Sequence, residues 1–346
     1  MNKKIFSACC IALSGIMASC SSGDETDIPM VDKADNAIAF NAMVPKAPRA
    51  ASTTTATIKE FYVYAFTAGK PYMERVAVRR NGSSWTYTPV MYWPDTPVNF
   101  YAYSPNISNS PVIGDDAIGD IPAYTCDGQT DLLYAVNIGE TAQASPVNMN
   151  FRHALSRVSV MLSSSNANIR VHVRYVVLHD LYHTATFYFP DATTSASSPG
   201  IIGNWQDFSL NADVALFYAM GDEDNIDLTT TPVDITENNL NVSFFIPQKL
   251  NKMSLEGSNY TGNYIEVDCE IFDSTSGVKI WPTSSTPPSQ LVPETPAGRL
   301  VFPLTTSTID QWKIGHAYIY NIKIDNPTVL QPIDFNVTVD DYEIGE

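Results

Sequence analysis

The sequence is dominated by short runs in which apolar residues alternate with polar ones or follow one another without a break. A period of two indicates a half-buried β-strand, and an unbroken apolar run of four to eight residues fits a strand buried on both faces. These runs predict strands at 38–44, 58–66, 98–103, 148–161, 169–178, 185–189, 242–246, 264–272, 317–324 and 333–339. No run of ten or more residues shows the 3.6-residue period of a helix. The pattern therefore predicts an all-β protein.

Turn residues separate the predicted strands, as at Asn81-Gly82, Asp127-Gly128 and Pro199-Gly200. Many short strands joined by such turns favour β-sandwiches. A chain of 346 residues is long enough for two domains of ordinary size. We place the boundary near residue 145, which gives an N-terminal β-sandwich domain over 50–145 and a C-terminal β-sandwich domain over 146–346.

Composition narrows the class of protein. Hydrophobic residues make up 44 % and charged residues 16 %, which supports packed cores and argues against disorder. The formal net charge is −17, and the basic residues form no stripe, so nucleic acid is not an expected partner.

The first twenty residues predict export. Lys3 and Lys4 precede an apolar stretch at 5–17 that is too short to span a bilayer. The stretch ends in Met-Ala-Ser-Cys, which resembles the lipobox of bacterial lipoproteins. We interpret 1–20 as a lipoprotein signal peptide and Cys20 as the residue that is acylated. The alternative is an ordinary secretory signal with an incidental cysteine.

Two strands at opposite ends of the chain present the same apolar face. The first places Ile38, Phe40, Ala42 and Val44 on one side, and the second places Ile333, Phe335, Val337 and Val339 on one side. Because side chains alternate along a strand, each segment offers four apolar residues to a core. The two segments are near-equivalent occupants for one groove, although strands at both ends of a β protein also match by chance.

A lone arginine follows the first of these strands. Arg49 lies among small residues in the segment KAPRAAS (46–52). Exposed segments of this composition are preferred sites of proteolysis. A cut between Arg49 and Ala50 would release the strand at 38–44 and leave an apolar groove with unpaired main-chain groups. The C-terminal strand of another molecule can then fill this groove by strand addition. Repeated head to tail, that contact produces a filament.

With these features the chain resembles the fimbrillin-like family, the subunits of protease-dependent (type V) pili of Bacteroidota. The resemblance spans nearly the whole body of the chain. Besides the lipobox at Cys20 and the Arg49-Ala50 step, it rests on these stretches: Ile38–Phe40, Phe61–Phe66, Tyr92-Trp93-Pro94, Tyr101–Pro105, Phe151–Val158, Phe245–Gln248 and Trp312–Tyr320.

The resemblance implies two tandem transthyretin-like β-sandwich domains and a fimbrial role in adhesion. It implies export as a lipoprotein to the cell outer membrane and surface exposure there. An arginine-specific protease would then remove the propeptide 21–49, and the subunit would enter the fimbrium. Subunits would polymerise by exchanging the C-terminal strand. The implied partners are other fimbrial subunits, the protease, and a surface ligand on a host or bacterial cell.

One departure from the family pattern concerns the C-terminal end. The family's last strand often ends in a tryptophan, whereas this chain ends in DDYEIGE (340–346). The last contact of the donor strand therefore differs. Stalk, tip and anchor subunits share the fold, and a cut site together with a regular donor strand favours a polymerising subunit here.

Other candidate chemistry is weaker. His172, His179 and His183 are close in sequence, but a zinc protease requires His-Glu-x-x-His on a helix, and here the context is β. Acidic runs at 114–116 and 221–224 either bind calcium or are solvated loops, and we favour the loops. Cys126 and Cys269 either form a disulfide or remain separate thiols, and we favour separate thiols because they fall in different predicted domains. We expect no cofactor, no metal and no enzymatic activity.

The main rival interpretation is a surface glycan-binding lipoprotein that is neither cleaved nor polymerised. Trp85, Tyr87, Tyr92 and Trp93 can form a platform on which sugars stack. Core packing explains the same aromatic residues equally well. A third interpretation, an enzyme on a β-sandwich scaffold, requires a cluster of ionisable residues that the sequence does not show.

Overall fold

The computed structural model describes residues 36–44, 52–193, 202–221, 224–238, 240–257, 259–284, 286, 297–325 and 334–341, with side chains in the last range only for Thr338 and Val339. Within these ranges the chain forms 22 strands and one turn of 3-10 helix at Ile235–Glu237. The predicted all-β sandwich fold is confirmed. In the described part of the chain, no helix has the length and apolar character needed to cross a membrane.

Nine strands lie in the N-terminal part of the chain. They are β1 (Phe40–Met43), β2 (Glu60–Thr67), β3 (Lys70–Asn81), β4 (Ser84–Thr86), β5 (Val98–Ser104), β6 (Asp120–Thr125), β7 (Leu133–Glu140), β8 (Val147–Asn150) and β9 (Arg152–His153). Six of them form an antiparallel sheet in the order β4-β3-β2-β5-β7-β9, which we call the central sheet. Strands β1 and β8 form a separate two-stranded parallel sheet.

The central sheet is covered on both faces, which is why β2 has six consecutive buried residues. One face carries Phe61, Val63 and Phe100 and packs against β1 and β8. The other face carries tyrosines of β2, β5 and β7 and packs against residues of the C-terminal part, among them Phe187 and Trp205. The two parts of the chain therefore share a core.

Thirteen strands follow in the C-terminal part. They are β10 (Ser156–Ser163), β11 (Ile169–Tyr188), β12 (Asn204–Tyr218), β13 (Ile226–Asp227), β14 (Val233–Asp234), β15 (Phe244–Phe245), β16 (Ser254–Glu256), β17 (Asn259–Thr261), β18 (Tyr264–Asp273), β19 (Lys279–Trp281), β20 (Gly298–Pro303), β21 (His316–Lys323) and β22 (Asp334–Asp341). Strands β16 and β17 form a small hairpin.

Two sheets enclose the C-terminal core. A five-stranded sheet has the order β14-β10-β21-β22, with β15 also paired to β10. A seven-stranded sheet has the order β12-β11-β18-β19, with β13 and β6 paired to β11 and β20 paired to β18. Apolar residues of β10 and β21 face those of β11 and β18. At its centre the buried Trp312 Nε1 donates to the Tyr320 hydroxyl at 2.9 Å, which donates to the Leu304 carbonyl at 2.9 Å.

Some strand boundaries differ from the sequence prediction. The strands predicted at 169–178 and 185–189 are one strand, β11, in which Asp180 adopts φ 59° and forms a bulge that breaks the alternation. The strand predicted at 148–161 is three strands, β8 to β10. The prediction missed β3 and β12 because both are largely solvent-exposed and lack an apolar period.

The domain division near residue 145 stays a prediction. Strand β8 pairs with β1, and β9 pairs with β7, so 147–153 associates with the N-terminal sheets. Strand β6 pairs instead with β11 of the C-terminal part. These pairings favour a boundary between His153 and Ser156.

Gly262 and Gly257 provide a matched test of packing around the small hairpin. Both have positive φ, at 84° and 66°, but a Cβ on Gly262 would lie 2.5 Å from the Lys252 carbonyl oxygen, whereas a Cβ on Gly257 meets nothing within 4 Å. We expect Gly257→Ala to lower the free energy of unfolding by about 1 to 2 kcal/mol through backbone strain alone. Gly262→Ala should lower it by a further ~1 to 3 kcal/mol. Urea titration checks this, and equal losses would contradict it.

Candidate functional site

Strand β1 and the residues that flank it, 38–44 in all, fill a groove on one face of the central sheet, and from here β1 means this whole segment. Ile38, Phe40, Ala42 and Val44 are all less than 8 % exposed, whereas Asn41 and Met43 between them are exposed. This is the alternation that the sequence predicted for the first strand. The face that enters the groove is therefore the apolar face whose sequence pattern is repeated in the C-terminal strand.

The largest side chain on the buried face of β1 is the ring of Phe40. It lies among Phe61, Tyr87 and Phe100, at centroid distances of 6.1, 5.5 and 5.4 Å, with each pair edge to face. Such aromatic pairs each contribute about 0.5 to 1.5 kcal/mol beyond the burial of area. We call this the three-ring pocket. It fits a phenyl ring at one position along the bound strand.

Main-chain hydrogen bonds hold β1 on both of its edges. On one edge it runs parallel to β8, with Phe40 opposite Val147. The amides of Val147 and Phe151 donate to Ala39 and Met43 carbonyls, each at 2.8 Å. On the other edge the Ile38 amide donates to the Met91 carbonyl at 2.8 Å. These bonds depend on strand geometry and not on the identity of the side chains.

Two polar side chains of the groove wall also bond to the main chain of β1. The Tyr87 hydroxyl donates to the Ile38 carbonyl at 2.7 Å. Burial raises the pKa of Tyr87, which keeps the phenol protonated and able to donate. Thr55 Oγ1 accepts from the Val44 amide at 2.8 Å and donates to the Val44 carbonyl at 2.9 Å. The ends of the bound segment are thus each fixed by a side chain.

The chain just after the predicted cut is anchored independently of β1. Cys20, Arg49 and Ala50 lie outside the described residues, which resume at the buried Ser52. The Thr53 amide donates to Asp131 Oδ2 at 2.7 Å, and Asp131 Oδ1 lies 2.9 Å from Nδ1 of the buried His153. A new N-terminus at Ala50 would therefore begin three residues before a fixed point.

The predicted donor strand lies elsewhere, at the edge of the five-stranded sheet. Strand β22 pairs with β21 in antiparallel register, with Phe335 opposite Ile322, Val337 opposite Tyr320 and Val339 opposite Tyr318. Ile333 lies outside the described residues. Thr338 and Val339 are both exposed, although consecutive strand residues face opposite sides. At that point, neither face of β22 is covered.

The histidines have separate environments. His179 lies between Asp213 and Glu266, with its Nδ1 and Nε2 at 3.1 and 3.2 Å from their carboxylates. His172 Nδ1 lies 3.2 Å from Asp227, and His183 Nδ1 bonds to the Leu210 carbonyl. Among the described residues, no three His, Cys, Asp or Glu side chains come together as a metal site. The acidic run at 221–224 is only partly within the described residues.

The cysteines of the body are separate free thiols. Cys126 is partly buried and packs against the core shared by the two parts of the chain, and Cys269 lies in the C-terminal core. Burial raises the pKa of Cys126 to about 12 and also raises that of Cys269. Both thiols are therefore protonated and unreactive at neutral pH.

The aromatic residues of the predicted sugar platform mostly pack inward. Trp93 is 6 % exposed and packs against Phe100, and Trp85 packs against Phe61 at 4.9 Å. Tyr87 lines the three-ring pocket, and only Tyr92 among the four is exposed. No local pattern identifies Tyr87 or Thr55 as groove residues, because their contacts with β1 join parts of the chain that are 49 and 11 residues apart.

The chain is similar to known proteins in sequence family and in fold. Residues 48–341 match the model of the family described as fimbrillin-like. The crystal structure of a fimbrial protein from Bacteroides vulgatus is similar, with a TM-score of 0.59 and 16 % identity, over 89 % of this chain and 99 % of that one. A Bacteroides uniformis protein provisionally described as a cell adhesion protein aligns with a TM-score of 0.47 and 12 % identity, over 89 % and 98 % of the two chains. No curated protein matches by sequence.

Substitutions on the two faces of β1 test whether the groove holds this strand by its apolar face. Phe40→Ala empties the three-ring pocket and should lower the free energy of unfolding of the uncleaved chain by about 3 to 5 kcal/mol. Met43→Ala, on the exposed face of the same strand, should change it by less than ~0.5 kcal/mol. Urea titration followed by tryptophan fluorescence measures both variants. Similar losses from the two would contradict the assignment of the buried face.

Proposed function

The chain belongs to the fimbrillin-like family, and from this premise we propose that it is a structural subunit of a cell-surface fimbria, matured by cleavage between Arg49 and Ala50 and assembled by donor-strand exchange. The observation that carries the proposal is the composition of the groove. Among the residues that the structure describes, every one that contacts β1 in the groove, from Thr55 to Phe151, lies on the C-terminal side of the proposed cut. Removal of β1 therefore leaves a complete but empty groove.

An empty groove is a strong binding site. Burying Ile38, Phe40 and Val44 contributes on the order of 1.5 to 3 kcal/mol for each side chain. Release of β1 exposes the facing walls, among them Phe61, Phe100 and Met149, which are at most 1 % exposed while β1 is bound. The unpaired edge of β8 adds main-chain groups that need partners. A replacement strand recovers most of this free energy.

The C-terminal strand is suited to be that replacement. It repeats the inward pattern of β1, with Phe335 corresponding to Phe40. Because β22 lies at a sheet edge, it can leave β21 without disrupting another strand. It then replaces its hydrogen bonds to β21 with equivalent bonds to β8 of another molecule. The net gain then comes from apolar side chains that enter the groove, offset in part by the entropy of association. Each subunit both donates and accepts a strand, so the contact does not close.

Attachment and localisation form the remaining part of the proposal. Acylation of Cys20 holds the precursor at the outer membrane, facing the surface, until an arginine-specific protease separates the body from the lipid. The body then joins other fimbrial subunits and contributes to adhesion. The glycan-binding alternative has less support, because three of its four aromatic residues pack inward around the groove.

Substitution of Arg49 tests the cut. Arg49→Ala and Arg49→Lys should both leave a lipid-anchored precursor that stays monomeric, because an arginine-specific protease cleaves neither. Lys46→Ala, in the same segment, should mature and polymerise as the wild type does. Immunoblots of unboiled cell-surface fractions distinguish monomer from polymer ladders. Ordinary ladders from both Arg49 variants would contradict the proposed cleavage.

Truncation after Pro332 tests the donor. The shortened chain retains β10 and β21 and the core between them, so it should fold, be cleaved and accept a strand, but it cannot donate one. When it is co-expressed with the wild type, it should add to a growing fimbria and stop further growth. Fimbriae should therefore become shorter as the fraction of truncated subunit rises. Long fimbriae from cells that express the truncated chain alone would contradict this assignment, because the donor strand would then have to lie in another part of the chain.

A further inference from the structure

One polar contact between β1 and the groove involves a side chain of the bound strand. Tyr87 and Thr55 bond to main-chain atoms, which any strand provides. Asn41 Nδ2, by contrast, donates to Asn148 Oδ1 at 3.0 Å. Asn41 follows Phe40 directly, so the contact lies on the face opposite the three-ring pocket and one residue along. It is a contact that depends on the sequence of the bound strand.

Asn148 is held in place by the part of the chain that remains after the proposed cut. Its neighbours Val147 and Met149 are fully buried, which directs Asn148 to the outer face of β8. Its carbonyl accepts from Asn137 Nδ2 at 3.0 Å, which fixes the main chain there from β7. The main chain that carries Asn148 on the outer face of β8 is therefore held in place before a new strand arrives.

The C-terminal strand carries the matching residue at the matching place. The first strand reads Phe40-Asn41-Ala42-Met43-Val44, and the last reads Phe335-Asn336-Val337-Thr338-Val339. Asparagine is the residue that the two share on the outward side. We propose that Asn148 selects the register and direction of the incoming strand by pairing with Asn336 of a second copy, as it pairs with Asn41 in the uncleaved chain. This inference rests on the proposed function.

Such a contact is needed because the apolar pattern leaves the register partly open. A slip of one residue turns the polar face inward, but a slip of two keeps apolar residues in the groove. A slip of two residues in either direction places Asp334 or Thr338 opposite Asn148 and removes Phe335 from the three-ring pocket. An aspartate offers only acceptors, and a threonine has a shorter side chain with a single hydroxyl, so neither reproduces a pair of amides. The phenyl ring and the amide thus determine the register from opposite faces.

The proposal defines the partner by its chemistry. It is an extended segment that runs parallel to β8 and carries Phe-Asn followed by apolar residues two and four positions after the Phe. The C-terminal strand of this chain meets that description. A subunit with the same pattern in its last strand would be accepted in the same way, whereas one without the Asn would bind more weakly.

Peptide binding to the cleaved full chain provides the test. The probe is a dye-labelled peptide of residues 332–341, and fluorescence anisotropy gives its Kd. Asn148→Ala should weaken the wild-type peptide about threefold, the loss expected for one solvent-exposed neutral hydrogen bond. An Asn336→Ala peptide should bind wild-type protein about threefold more weakly than the wild-type peptide does. Its Kd should not rise further when the protein carries Asn148→Ala. Asn150→Ala, two residues along β8 and opposite Met43, is the matched control and should leave both peptides unchanged.

Cross-linking provides the test of direction. Asn148→Cys should form a disulfide readily with an Asn336→Cys peptide and poorly with Asp334→Cys or Thr338→Cys peptides. Equal cross-linking at all three positions, or independent and additive effects of the two alanine substitutions, would overturn the register proposal. If the wild-type peptide bound only to cleaved chain but the Asn variants matched it, the proposed function would stand without this inference. Absence of any binding to cleaved chain would contradict the proposed function itself.

Discussion

The central sheet is apolar on both faces, and both faces must be covered. The C-terminal part of the chain covers one face permanently through the shared core around Phe187 and Trp205. The other face is covered by β8 and β1, and the covalent link from β1 to the rest of the body runs through the segment that contains Arg49. Under the proposed function, a single cut there followed by release of β1 would expose a groove without removing any element that encloses the remaining core. The proposed assembly follows from this asymmetry.

Under this proposal the uncleaved chain and the assembled subunit would have the same fold, with a different source for one strand. In the uncleaved chain β1 fills the groove, which would prevent premature association. After the proposed cut, the hydrogen bond from the Thr53 amide to Asp131, which also contacts His153, would keep the new N-terminus on the body. Strand β22 meanwhile remains paired with β21 at a sheet edge, where Thr338 and Val339 are both exposed. The proposed exchange would move this strand from a sheet edge into a groove that buries one of its faces.

The sequence predicted the fold class and the buried face of β1 because both depend on local periodicity. The face of Ile38, Phe40, Ala42 and Val44 enters the core as its alternation indicates. The sequence did not predict β3 or β12, whose exposed residues show no period, nor that β11 continues through the bulge at Asp180. It also did not identify Thr55, Tyr87 or Asn148, since their contacts with β1 join distant parts of the chain. The roles assigned to Cys20, Arg49 and Ile333 concern segments outside the described residues and stay proposals.

Electron cryomicroscopy of fimbriae taken from the cell surface tests the central claim most directly. The measurement is the chain connectivity of the strand that lies beside β8. The account predicts that this strand continues from β21 of the neighbouring subunit and places Phe335 between Phe61, Tyr87 and Phe100. A strand that instead continues into Ser52 of the same subunit, with Phe40 still in that pocket, would contradict it.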